Sequence, residues 1–174
     1  MIMFRFAKCA VAVGAIGLAA VLPSNAQAAN TTATAAATIA AAIGIANSAN
    51  MSFGIIAPDP VNPGTVVLVP AGTRTNPDGF LTLIGGGTVA AAAFDVNGGA
   101  NATYTITLPA GPVSLIKGVD SMTATGFNDS LTGAGTLDGT GAQSFTVGAT
   151  LNVTAAQPVG DYISAGFTVT VNYN

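Results

Sequence analysis

From Phe167 to Asn174 apolar and polar residues alternate without a break. Phe167, Val169, Val171 and Tyr173 fall on one face; Thr168, Thr170, Asn172 and Asn174 fall on the other. Successive side chains of a strand point to opposite faces, so this period of two predicts a half-buried β-strand. A terminal segment frays unless something ties it down, so a neighbour is expected along one edge of this strand or both. The same period recurs upstream. Thr103–Leu108 sets Tyr104, Ile106 and Leu108 against three threonines. Ala90–Val96 turns Ala90, Ala92, Phe94 and Val96 inward, and Ser144–Val153 aligns Phe145, Val147, Leu151 and Val153.

Asn50–Ala57 reads as a strand with Met51 and Phe53 on one face and a bulge at Gly54. Thr65–Val69, Phe80–Ile84, Val113–Ile116 and Met122–Phe127 are further strands, the second expected to stop at Gly85-Gly86-Gly87. Pro58–Gly64, Asn76-Pro77-Asp78-Gly79, Asn97-Gly98-Gly99 and Pro109–Pro112 supply turns. Asn128–Gly141 reads as a Gly-rich connection. Eight or nine short strands with turn signals every 8 to 12 residues predict an all-β fold, an antiparallel β-sandwich with Greek-key connections or a barrel, without substantial helix.

Two stretches stand apart. Ala29–Ala46 is rich in Ala and Thr, and helix competes with strand there. Ile39, Ala41, Ile43 and Ile45 share one strand face and Gly44 interrupts a helix, so an extended ribbon is expected. Before it, Arg5 and Lys8 precede the apolar run Cys9–Leu22, and Pro23 and Ala26-Gln27-Ala28 follow, the plan of a cleaved signal peptide. The apolar run is shorter than the about 20 residues a membrane-spanning helix needs. The expected organisation is therefore a leader over 1–28, the ribbon over 29–47 as a first or donor strand, and one domain over 48–174.

Charge narrows the function. Residues 29–174 carry seven Asp, Arg74 and Lys117, with no Glu, His, Trp or Cys. Only 6% of the whole chain is charged, against about 25% in ordinary domains. Two cations cannot make a phosphate-binding patch, which argues against nucleic acid. Acid–base or nucleophilic catalysis would rest on Asp alone. A glycosidase-like pair of Asp129 and Asp138 is conceivable, yet both sit in Gly-rich turns where Asp serves the backbone. Gly133–Gly139 has a loose likeness to a calcium-binding repeat but occurs once. No enzyme, metal or cofactor is expected. A membrane barrel would want a charged lumen and aromatic girdles, so no integral membrane protein is expected either. A neutral polar surface permits packing against copies of itself.

Met51-Ser52-Phe53-Gly54, Gly64-Thr65-Val66, Asn101-Ala102-Thr103-Tyr104, Gly148-Ala149-Thr150-Leu151, Gly160-Asp161-Tyr162 and Val169–Tyr173 follow one another in an order that resembles the bacterial secreted domain-of-unknown-function family 4402. That family is similar in turn to spore-coat-U-like and archaic chaperone–usher pilins, although the cysteine pair of many pilins is missing here. The resemblance implies an immunoglobulin- or pilin-like sandwich short of one strand. Its open edge would take a strand from a periplasmic chaperone and then from another copy of the chain. Phe167, Val169, Val171 and Tyr173 would flank that edge, and Ile39, Ala41, Ile43 and Ile45 would be the knobs of the donor. Self-completion by the ribbon within its own domain is the competing expectation. The function expected is a secreted, non-enzymatic structural or adhesive surface protein in the periplasm, at the cell surface or outside the cell. The alternative is a self-contained monomeric binding module for a glycan or protein ligand.

Overall fold

The computed structural model describes residues 28–174; the leader expected over 1–28, apart from Ala28, lies outside the described residues. About half of the described residues form antiparallel strands and none forms a helix, so the chain is all-β. In chain order the strands are β1 (Gly44–Ala49), β2 (Ser52–Ala57), β3 (Gly64–Leu68), β4 (Arg74–Thr75), β5 (Thr82–Ala90), β6 (Ala92–Asn97), β7 (Thr103–Thr107), β8 (Val113–Lys117), β9 (Asp120–Asp129), β10 (Ala134–Thr136), β11 (Ala142–Val153), β12 (Ile163–Ser164) and β13 (Thr170–Tyr173).

The twelve-residue β11 organises them. Along one edge it pairs β6 through Ala142–Val147 and then β3 through Ala149–Val153. Along the other it pairs β9 over Val147–Asn152. β1 extends this sheet beyond β6, and β8 and β12 extend it beyond β9. Two small sheets, β10-β7-β13 and β2-β5, complete the fold.

The hydrophobic core divides along β11. Phe145 and Val147 join Phe94, Val96, Tyr104, Ile106, Leu137 and Val171 in one cluster, the contribution of β10-β7-β13. Ala149, Leu151 and Val153 join Phe53, Val66, Leu68, Leu81 and Ala124 in the other, the contribution of β2-β5. The alternation read in Thr103–Leu108, Ala92–Val96 and Ser144–Val153 faces these cores as expected. The final strand also faces inward as expected, with Val171 buried and Phe167, Val169 and Tyr173 half-buried. Ladder pairing in it is confined to Thr170–Tyr173, along one edge, with β7.

Three expectations are corrected. Gly85-Gly86-Gly87 does not end a strand: β5 runs through it to Ala90. Val89 pairs Phe53 and Ile84 pairs Ile55, so Gly85–Thr88 bulge out opposite Gly54. The Gly-rich connection contains a strand, β10, held to β7. Strand pairing begins at Gly44, inside the ribbon, because β1 lies along β6.

The bulge at Gly54 was legible; what holds it was not. Gly54 has φ 70°, a conformation open to glycine. A bulge leaves ladder carbonyls without partners. Arg74, from the β3–β4 hairpin, supplies donors to three of them: Phe53 O, Ile55 O at 3.0 Å and Ile84 O at 2.7 Å. The planar guanidinium fork reaches all three at once, which an ammonium cannot do. Arg74→Met is expected to destabilise the domain by about 1–2 kcal/mol and Arg74→Lys by nearly as much. Urea unfolding checks this, and an unchanged midpoint would refute the role.

Candidate functional site

Over β8 and β9 the large sheet lacks a full covering layer. Val113 and Leu115 of β8 and Met122 and Phe127 of β9 border the same apolar space as Ala124, Leu151 and Val153, yet these four stay half-buried. Above them lies a groove of about 1270 Å³. Every residue from Asn50 to Pro58 lines it, residues of both strand faces included, as expected where the edge of β2 forms the wall. Among the described residues β5 is the one strand partner of β2, which leaves that edge able to pair with an added strand.

The opposite wall is Gln157–Phe167, again without a gap. It is a built wall. Buried Gln157 donates through Nε2 to the Tyr162 hydroxyl at 2.8 Å and to Ser121 O at 3.3 Å. The Tyr162 hydroxyl donates to Pro158 O at 2.7 Å. Lys117 Nζ donates to Val159 O at 2.7 Å, pairs with Asp120 at 3.4 Å and sits 5.6 Å from the Tyr162 ring centre. Asp161 is the one charged residue among those lining the groove. A neutral, extended segment with apolar side chains on one face matches such a site. A polyanion does not.

The structure does not gather the eight expected strand-complementation residues into one place. Ile43 and Ile45 pack on the first core, within their own domain. Ala41 is exposed, as is Ile39 at 96%. Residues 28–43 form no strand. Of the terminal set, Phe167 alone lines the groove; its ring centre lies 5.0 Å from that of Phe127 and 6.3 Å from that of Phe94. Val169, Val171 and Tyr173 close the first core instead. Tyr173 also fastens the ribbon: its hydroxyl donates to Ala41 O at 2.8 Å and accepts from Gly99 N–H at 2.6 Å.

The residues weighed for chemistry have structural partners. Tyr104 is fully buried and donates to Gln143 Oε1 at 2.8 Å. Burial, then the nearby Asp129 charge, pushes its hydroxyl above the usual tyrosine range. Asp129 accepts from the amides of Leu131 and Gly133. Asp138 accepts from Thr140 Oγ1, Thr140 N–H and Ala142 N–H. Among the described residues no three His, Cys, Asp or Glu side chains cluster as a metal site would need, and no helix is long and apolar enough to cross a membrane. The groove itself was not foreseen. Val113–Ile116 and Met122–Phe127 are legible as strands, but a strand carries no sign that its cover is missing.

The family model for the domain of unknown function DUF4402 matches residues 43–173. The chain belongs to that family. The DUF4402 domain thus opens at Ile43, the first ribbon residue packed in the core, and ends on Tyr173, while Ile39 and Ala41 precede it. Among curated proteins and solved structures, none matches the chain.

Two carboxylates of this DUF4402 domain make its acid stability predictable. The amides of Asn62 and Val61 hold Asp59 below the usual carboxylate range. The Thr140 hydroxyl, then the amides of Ala142 and Thr140, do the same for Asp138. A depressed folded pKa contributes stability that is present above the unfolded pKa and lost as pH falls through the folded one. The loss is therefore expected below about pH 4. Asn keeps an acceptor but does not titrate, so Asp59→Asn/Asp138→Asn should shrink the drop in urea midpoint between pH 4 and pH 2.5. An equal drop in both proteins would refute it.

Proposed function

We propose that the chain is a secreted, non-enzymatic structural or adhesive subunit of the cell surface, pilin-like in that a strand from another copy completes its groove. The observation that carries this reading is the unpaired edge of β2 running along a groove whose floor is apolar and half-buried. A strand added there would pair its backbone with β2 and cover Val113, Leu115, Met122 and Phe127 with its apolar face.

The ribbon supplies a fitting strand. In an extended conformation Ala33, Ala35, Ala37, Ile39 and Ala41 share one face, and Thr32, Thr34 and Thr38 share the other. Its small neutral side chains suit a cleft with one charge. Reach favours exchange between molecules over self-completion. Gly44 pairs Asn97, and Asn97 pairs Ala142. Leu151, on the groove floor, is nine residues further along β11, about 30 Å. Ile39 is five residues from Gly44 and extends at most about 18 Å. Ile39 can meet the Leu151 end of a groove only on another copy. An open edge above an apolar floor invites aggregation, so a periplasmic chaperone strand is the expected temporary occupant. The resemblance to spore-coat-U-like and archaic chaperone–usher pilins proposed from the sequence would fit this scheme.

A second reading, a self-contained module whose groove takes a glycan or protein ligand, is favoured by the pairing of β1 with β6 inside the domain. Size measurements on the exported protein, from which any leader has been removed, separate the two. Deleting residues 29–42 while keeping β1 should leave a folded monomer that no longer polymerises, and added peptide 29–43 should bind it. Ile39→Asp should raise the concentration needed for assembly roughly 10- to 100-fold, the loss of one buried isoleucine. A stable monomer unaffected by either change would overturn strand exchange in favour of the module.

A further inference from the structure

The carboxyl-terminal tyrosine does more than close the first core. Its hydroxyl sits in a notch made by two glycines. A Cβ built on Gly98 would lie 2.2 Å from that oxygen, and one on Gly99 would lie 3.6 Å away. Neither residue has positive φ among the described glycines that do, so backbone conformation does not demand glycine here. Close approach demands it at Gly98: any side chain there would take the place of the hydroxyl. The notch lets Tyr173 use both hydrogen-bonding roles at once, accepting from Gly99 N–H at 2.6 Å and donating to Ala41 O at 2.8 Å. Among the described residues no other side chain hydrogen-bonds to residues 38–43. Three residues on, Gly44 meets Asn97 in the first rung of β1. Both contacts engage the same turn, Asn97–Gly99, so the ribbon is held twice as it leaves the domain.

We propose that Tyr173 is a positioning residue for strand exchange: its hydroxyl clasps Ala41 and fixes the direction in which Ile39 is presented to a second copy of the chain. The proposal rests on the strand-exchange reading and adds the device that prepares the donor. Without the clasp the ribbon is anchored only from Ile43 onward, and residues 38–42 must be ordered when they bind. Ordering them beforehand removes that entropic cost from the binding step.

The decisive variant is Tyr173→Phe in the full exported protein, because the ring and its packing remain and both hydrogen bonds go. In the wild type, backbone order parameters at Ala40–Ala42 should be near about 0.85, and in the variant they should fall below about 0.6. Exchange of the Gly99 amide should quicken about five- to tenfold, the share of one net hydrogen bond, while the amides of β7 and β11 exchange as before. The assembly concentration should rise by a similar factor. Gly98→Ala should also loosen Ala40–Ala42, since its methyl would displace the hydroxyl and press on Leu137 Cδ1 at 3.0 Å as well. Unchanged order at Ala40–Ala42 would overturn the clasp. Lost order with unchanged assembly, in a protein whose assembly still fails on Ile39→Asp, would overturn the positioning role and leave strand exchange standing. A wild type that never assembles overturns both.

Discussion

The fold depends on β11 having partners along nearly its whole length on one side and along its second half on the other. β6 and β3 follow each other along one edge and β9 lies on the other, so one strand joins two cores that would otherwise be separate small clusters. Its inward residues run from one cluster into the other without a polar interruption, Phe145 and Val147 in the first and Ala149, Leu151 and Val153 in the second. Long-range pairing of this kind must be closed before it stabilises anything. With no cysteine beyond position 9, packing along β11 is what holds the described domain together.

The same arrangement explains where the fold is incomplete. The large sheet offers one continuous apolar face, but the second layer comes in two pieces, β10-β7-β13 and β2-β5. Between them the side chains of β8 and β9 are only half covered. Elsewhere the molecule goes to some length to satisfy its backbone, as Arg74 does at the bulge and Gln157 and Tyr162 do in the wall. No buried side-chain nitrogen or oxygen among the described residues is left unpaired. Against that background the open edge of β2 is an exception, and exceptions to local consistency concentrate at functional sites.

Much of this was legible in the sequence, for identifiable reasons. Period-two runs such as Thr103–Leu108 and Ser144–Val153 report a strand and its buried face together, because both follow from the geometry of a pleated chain. Gly54 was readable as a bulge because a glycine inside an apolar strand has few other uses. Gly85-Gly86-Gly87 was misread because three glycines locally look like a stop. The strand survives there through Arg74, donated by a hairpin that contacts the bulge only in three dimensions. The ribbon carries an even Ile39–Ile45 alternation that promises one continuous strand. Tertiary packing divides it at Ile43, because Ile43 and Ile45 lie against the first core, a contact that no local pattern encodes. The groove was illegible for the same reason: exposure of Leu115 or Met122 depends on which segments fail to arrive.

The ribbon root lies at the Asn97 end of β6, and the deep floor of the groove lies near Val153. Under the proposed strand exchange, a row of molecules joined from one to the other would be polar, with an empty cleft at one tip and a spare extension at the opposite tip. Reciprocal exchange between two copies would fill both clefts and close the series, whereas unlike surfaces meeting head to tail without closure would extend as filaments. Elongation would be directional, and its termination would call for a molecule that plugs the last cleft or offers none of its own.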